Sequence, residues 1–173
     1  AKNAKLIQNK QNVGYGRANN QGIRAAKGST ILLLNSDIKV LDDAIEKLYL
    51  FSKDHPKAFV GGKLFNEDMR PQSSCGPVFS LWNIFLMLFC KGDALGVTRW
   101  SPDVEKNVAW ISGACLMGSK KAFEDVGLFD EEIFMYMDEV EFLERAREKG
   151  YHVLFYPKAR FVHSGAASSG NKR

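Results

Sequence analysis

The run Thr30-Ile-Leu-Leu-Leu34 is apolar after its first residue and stops at Asn35-Ser36-Asp37. A run this short, bounded by turn formers, reads as a strand buried on both faces. Residues 19–27 before it read as a short helix, stopped by Gly28. Helix then buried strand is one half of a βαβ pattern, which points to an α/β sheet. With 173 residues, 45% of them apolar, the chain suffices for one domain with a real core.

The same reading continues downstream. Residues 41–53 form a helix with Ala44, Leu48 and Phe51 on one stripe, and 58–65 a strand. Residues 66–77 are turn-rich and read as a loop, as do 93–106. The stretch 80–90 is the most apolar of the chain, at about half the roughly 20 residues that span a bilayer. It reads as a buried or partner-facing helix, or as one that dips into a membrane surface. Residues 108–117 read as one strand with small residues in its middle, which let a ligand or another backbone approach. A short helix at 119–126 closes on Gly127, a second covers 138–149, and 151–156 form a strand. The tail 164–173 is rich in Gly and Ser and reads as flexible.

A net charge of +4, without a basic run, suits anionic ligands such as a diphosphate and excludes nucleic acid as the expected partner. Three cysteines, none at a metal-ligand spacing, fit a reducing compartment and no disulfide framework.

Four segments can carry chemistry. Asp37, after a buried strand, stands where open α/β sheets collect ligands, and a carboxylate there can hold a hard cation; it also suits an ordinary turn. Asp138 and Glu139 suit a helix start, and a carboxylate in an aromatic-lined cleft can also serve as a general base. His163 follows a strand and becomes a metal partner for Asp37 if the two strand ends meet. Residues 12–20, Asn-Val-Gly-Tyr-Gly-Arg-Ala-Asn-Asn, read as a loop able to hydrogen-bond a nucleotide. With no strand before them, the dinucleotide fingerprint fails its context.

In order and spacing these segments resemble glycosyltransferase family 2, of the GT-A fold, and most closely its rhamnosyltransferase-like branch. The likeness is carried by Asn-Val-Gly-Tyr-Gly-Arg-Ala-Asn-Asn-Gln-Gly-Ile at 12–23, Ile-Leu-Leu-Leu-Asn-Ser-Asp at 31–37 and Trp-Ile-Ser-Gly-Ala-Cys-Leu-Met at 110–117. It continues in Phe-Glu-Asp-Val-Gly-Leu-Phe-Asp at 123–130, Phe-Met-Tyr-Met-Asp-Glu-Val-Glu at 134–141, and Val-His-Ser-Gly at 162–165. The resemblance implies one catalytic domain over 1–173, with a mixed, mainly parallel sheet flanked by helices. It also implies that about 50–80 residues of such a domain, two βα units, precede this chain.

By that resemblance Asp37 and His163 hold a divalent metal, Mg2+ or Mn2+, with Asn35 at the first position of the family's Asp-x-Asp-type motif. Glu139 is the expected base, with Asp138 second. Asn12, Arg17, Asn20, Asn35, Trp110, Ser112 and Gly113 are expected around the substrates. The implied reaction is an inverting transfer from a nucleoside-diphosphate sugar to a saccharide or lipid-linked acceptor. Its implied setting is the cytoplasm, at the inner face of a membrane if 80–90 makes the contact. A non-catalytic sugar-nucleotide-binding module on the same fold is the competing expectation.

Overall fold

The computed structural model describes residues 4–93, 95–134 and 136–165. The elements in order are α1 (Tyr15–Ala25), β1 (Thr30–Leu34), β2 (Ile38–Val40), α2 (Ala44–Asp54), β3 (Ala58–Phe65), β4 (Cys75–Gly76), α3 (Leu81–Phe89), β5 (Lys106–Asn107), β6 (Trp110–Ile111), β7 (Cys115–Ser119), α4 (Lys120–Val126), α5 (Asp138–Glu148) and β8 (His152–His163). The main sheet runs β1-β7-β3-β8-β2, with β5 on β8, and β4 pairs β6 apart from it.

Side chains alternate across the sheet and feed two cores. On one face, Phe59 of β3 and Phe155 of β8 pack with Phe123 of α4, Phe142 of α5 and Ile23 of α1. On the other, Val60, Leu64 and Phe161 pack with the stripe Ala44, Leu48 and Phe51 of α2, as the spacing predicts. Midway along β8 the register jumps: Gly62 lies opposite Tyr156, and Lys63 opposite Arg160. The chain bulges through Pro157, whose missing N–H is not needed there, so the strand continues to His163. This extension carries His163 to the site, where the sequence reading ends the strand at residue 156.

The α/β class and the flanking helices are as expected, but the predominance of parallel pairing is not. Among the described strands only β3 and β8 pair in parallel; the other pairs are antiparallel. β1 is an edge strand of the described sheet, not one buried on both faces: it pairs only with β7, and Leu34 is 36% exposed. The run 108–117 is two strands rather than one, because the chain turns through 112–114, where the Cys115 N–H donates to the Ser112 carbonyl at 3.2 Å. The stretch 12–20 is a loop only at its start. The Asn12 side chain accepts from the Gly14 N–H at 3.0 Å, and the helix begins at Tyr15. Of the readings of 80–90 as a buried, partner-facing or membrane-dipping helix, burial is not met: no residue of α3 is buried. No helix among the described residues is long and apolar enough to cross a membrane. The tail expected at 164–173 lies, beyond Gly165, outside the described residues.

Candidate active site

The last turn before α5 sets the site. Tyr136 and Met137 both take positive φ, at 65° and 68°, a region that strains non-glycine residues by about 1–3 kcal/mol each. Strain of this kind persists only where the surroundings impose it. Here the turn lets the two carboxylates that follow do different things. Asp138, 2% exposed, accepts the Gly16 N–H at 3.3 Å and so satisfies a free amide in the first turn of α1. Glu139, only partly buried, lines a cleft of about 480 Å³.

Loss of water around both carboxyls raises their pKa above the ordinary carboxylate range. For Glu139 the amides of Glu139 itself and Gly113, and the charge of Arg99, oppose that rise, while the charge of Asp138 adds to it. The N-terminal end of a helix favours carboxylates, yet desolvation dominates here.

Beside Glu139, Tyr15 clamps the 112–114 turn. Its hydroxyl donates to the Gly113 carbonyl at 2.7 Å, and burial, with the charges of Glu139 and Asp138, pushes its pKa up. Gly113 is a close approach: a Cβ there would come within 2.5 Å of the Tyr15 oxygen.

At the other end of the cleft β2 pairs antiparallel with β8, with Ile38 opposite His163. That register brings His163 Nε2 to 3.5 Å from Asp37 Oδ1, each side chain 17% exposed. The other ring nitrogen is fixed by a relay. Gln72 Nε2 donates to Asn66 Oδ1 at 3.1 Å, which turns Gln72 Oε1 toward His163 Nδ1 at 2.8 Å. Nδ1 is therefore the donor, and in the neutral ring Nε2 keeps its lone pair. In the neutral ring that lone pair and the Asp37 carboxylate are two donors that could face one cation. Orientation of a ligating histidine through its second nitrogen is the usual support of a metal site.

Of the residues expected from sequence, Asn12, Asn35, Trp110, Ser112, Gly113, Asp138, Glu139 and His163 line this one cleft. Asp37 stands behind His163. Arg17 and Asn20 are not in the cleft wall. Asn20 is fully buried, accepting from the Phe129 N–H at 3.0 Å and donating to the Phe129 carbonyl at 2.9 Å. Arg17 pairs with Glu131 at 3.3 Å. Both tie α1 to the segment that leads into α5. The Asn20 amide and the Arg24 guanidinium hold the Glu131 carboxyl below the usual range. Sequence reasoning missed Tyr15, Gln72, Phe79 and Arg99. The Gly-Tyr-Gly spacing was the only signal for Tyr15; nothing local marks the others.

The sequence model described as glycosyl transferase family 2 matches residues 1–74. The chain is 28% identical over 189 residues to an N-acetylglucosaminyl-diphospho-decaprenol L-rhamnosyltransferase of Mycobacterium tuberculosis, covering 97% of this chain and 61% of that protein. It is 29% identical over 157 residues to a dTDP-rhamnosyl transferase of Shigella flexneri, covering 89% and 50%. A hexosyltransferase of low-salt glycan biosynthesis from Haloferax volcanii is 27% identical, covering 82% and 46%. The chain thus spans between about half and three fifths of the length of these relatives. Two solved structures share its fold. GalNAc-T7 with UDP, GalNAc and Mn2+ aligns at a TM-score of 0.66 and 16% identity, covering 91% of this chain and 32% of that one. A mannosyltransferase of Pyrobaculum calidifontis with GDP-Man and Mn2+ aligns at 0.59 and 14%, covering 95% and 40%. The fold is GT-A, and the match over residues 1–74 and these relatives make the chain similar to glycosyl transferase family 2 and, within it, to rhamnosyltransferases.

Proposed function

We propose that the chain carries the catalytic centre of an inverting glycosyltransferase that moves a sugar from a nucleoside-diphosphate donor to a saccharide or lipid-linked acceptor. The observation behind this reading is a single cleft bounded by the Glu139 carboxylate at one end and by His163, backed by Asp37, at the other. Rhamnose is the favoured sugar, because two relatives are named for its transfer, and one of those names contains a lipid diphosphate.

The residues fit a divalent cation: a carboxylate and an imidazole lone pair meet, and Gln72 holds the ring. Asp37 and His163 would hold Mg2+ or Mn2+, whose chemistry when bound is to offset charge on the departing diphosphate. Glu139 takes the proton of the acceptor hydroxyl as that oxygen attacks the anomeric carbon and the bond from that carbon to the diphosphate breaks. A carboxylate with a raised pKa is a stronger base, and desolvation supplies the rise. Asp138 positions this base by tying the start of α5 to α1. Tyr15 holds the 112–114 turn beside it, and the Trp110 and Phe79 rings give the sugar an apolar wall.

The test is thermal stability with Mn2+ or Mg2+ and a panel of nucleoside diphosphates. A ligand that binds only the folded state adds about 2.7 kcal/mol at a hundredfold excess over its Kd. A metal-dependent shift with one nucleotide, lost in Asp37→Ala, supports the donor site. No shift with any pair counts against it.

A further inference from the structure

One ring of the cleft has no task in the fold. Trp110 is 2% exposed, and Phe79 leans on it with ring centroids 6.1 Å apart. Tyr136 lines the same cleft, yet it is 71% exposed. Among the described residues it stacks on no other ring. Its φ of 65° lies in the left-handed region that a bulky side chain rarely takes. Glycine or asparagine would take the same turn more easily, so the backbone gains nothing from a tyrosine here. The neighbouring Met137, with φ 68°, is 47% exposed and also lines the cleft. Nor is the turn loosely placed. At one end it runs into α5. At the other, the Phe134 carbonyl packs on the backbone of Gly14, where an added Cβ would come within 2.6 Å of that oxygen.

A costly conformation thus holds a large flat side chain out between the cleft and water, just before Glu139. Strain of this kind collects at ligand clamps. In the displacement described above, the attacking oxygen and the departing diphosphate stand on opposite sides of the anomeric carbon. With the diphosphate at the Asp37 and His163 end, the Glu139 end belongs to the acceptor. Resting on that reading, we propose that the Tyr136 ring seats the acceptor's sugar. A pyranose lays its C–H face on the ring and turns the attacking hydroxyl to Glu139. The chemistry favours a sugar over an apolar chain. A pyranose has one flat C–H face and a rim of hydroxyls that stay wet, which suits a single ring left largely in water beside the polar Asn12 and Glu139. An alkyl or prenyl chain would need a covered apolar groove.

The experiment is saturation-transfer NMR on the purified protein with the methyl β-glycosides of glucose and galactose and their 2-acetamido analogues. Sorbitol, a polyol without a flat face, is the control. At least one glycoside is expected to take up saturation mainly through the protons of one ring face, and sorbitol little. Tyr136→Asn removes that selectivity, and Tyr136→Phe keeps it, since the ring and not the hydroxyl makes the seat. Asparagine tolerates the left-handed region, so the first variant is expected to fold with a Tm at or above that of the wild type. Uptake that is unchanged in Tyr136→Asn, or absent for every glycoside in the wild type, overturns the proposal. So does a fall in Tm, which would show that the ring is held by the fold. A transfer assay separates the two readings. The seat predicts that Tyr136→Asn raises the acceptor KM by about tenfold and leaves the donor KM unchanged, with Tyr136→Phe near the wild type. Face-selective binding by a protein that transfers no sugar sinks the proposed function and keeps the seat. Transfer with an acceptor KM unmoved by Tyr136→Asn does the reverse.

Discussion

Helices α3 and α5 invert the ordinary relation between hydrophobicity and burial. α5 is rich in charge, yet Phe142, Leu143 and Ala146 are fully buried and Asp138 nearly so. α3 is almost wholly apolar and buries none of its residues. What separates them is pattern. In α5 the apolar residues recur on one stripe while Arg145 pairs with Glu141 and donates at 2.7 Å to the Val126 and Leu128 carbonyls, finishing the end of α4. In α3 apolar side chains surround the helix, so half of them face water whichever way it turns. Burial follows from a partnered stripe, and apolar surface left over is available for function.

The comparison can be broken at several points. Phe142 touches three other rings, with centroids 4.6 to 5.3 Å away. Phe142→Ala is expected to destabilise by about 3–5 kcal/mol in urea unfolding, the usual loss for a large buried aromatic. Removal of the His163 orienter, Gln72→Ala, is expected to lower metal affinity about 10–100-fold by calorimetry, with the fold intact. A smaller effect is expected of Glu139→Gln on stability, and its sign depends on pH. The folded-state pKa of Glu139 is raised, so its burial becomes more unfavourable as pH rises through the window between the unfolded and folded values. The variant should thus gain in Tm over the wild type at about pH 8 and match it near about pH 4, where both states of a normal carboxyl are largely protonated. A gain that is greatest in acid contradicts the desolvation account. The smallest effect is expected on α3: Trp82→Ser should change stability by no more than about 0.5 kcal/mol, as for an exposed position. A loss as large as that of Phe142→Ala would show that α3 is core.

What could be read from sequence was local. The bounds of β1 and β3 follow from apolar runs with turn formers at their ends, and α4 ends at Gly127 because φ is 102° there. The stripe of α2 follows from spacing alone. The acid pair at 138–139 and the Asp37 turn were visible as chemistry, but not the division of labour between Asp138 and Glu139. That rests on Gly16, more than a hundred positions away. Asn20 and Arg17 carried the right residue types for a nucleotide loop, yet their partners are Phe129 and Glu131, which only the packing of α1 on that segment brings near. Asp37 meets His163 through the β2–β8 register, and Gln72 joins them from a loop with no periodicity to read. The small residues at 112–114 marked a close approach, which the Tyr15 side chain makes instead of a ligand or a backbone, and they hid a turn, because Ser, Gly and Ala suit both.

The central claim is that Glu139 is the base of a sugar-transfer site. Its most direct test is the transfer rate of Glu139→Gln, measured across pH beside donor binding by the same protein. The account predicts a fall of about 10²–10⁴-fold in kcat with donor affinity kept. It also predicts that the wild-type rate declines as pH drops through the raised pKa of Glu139. Turnover that survives the substitution would contradict it.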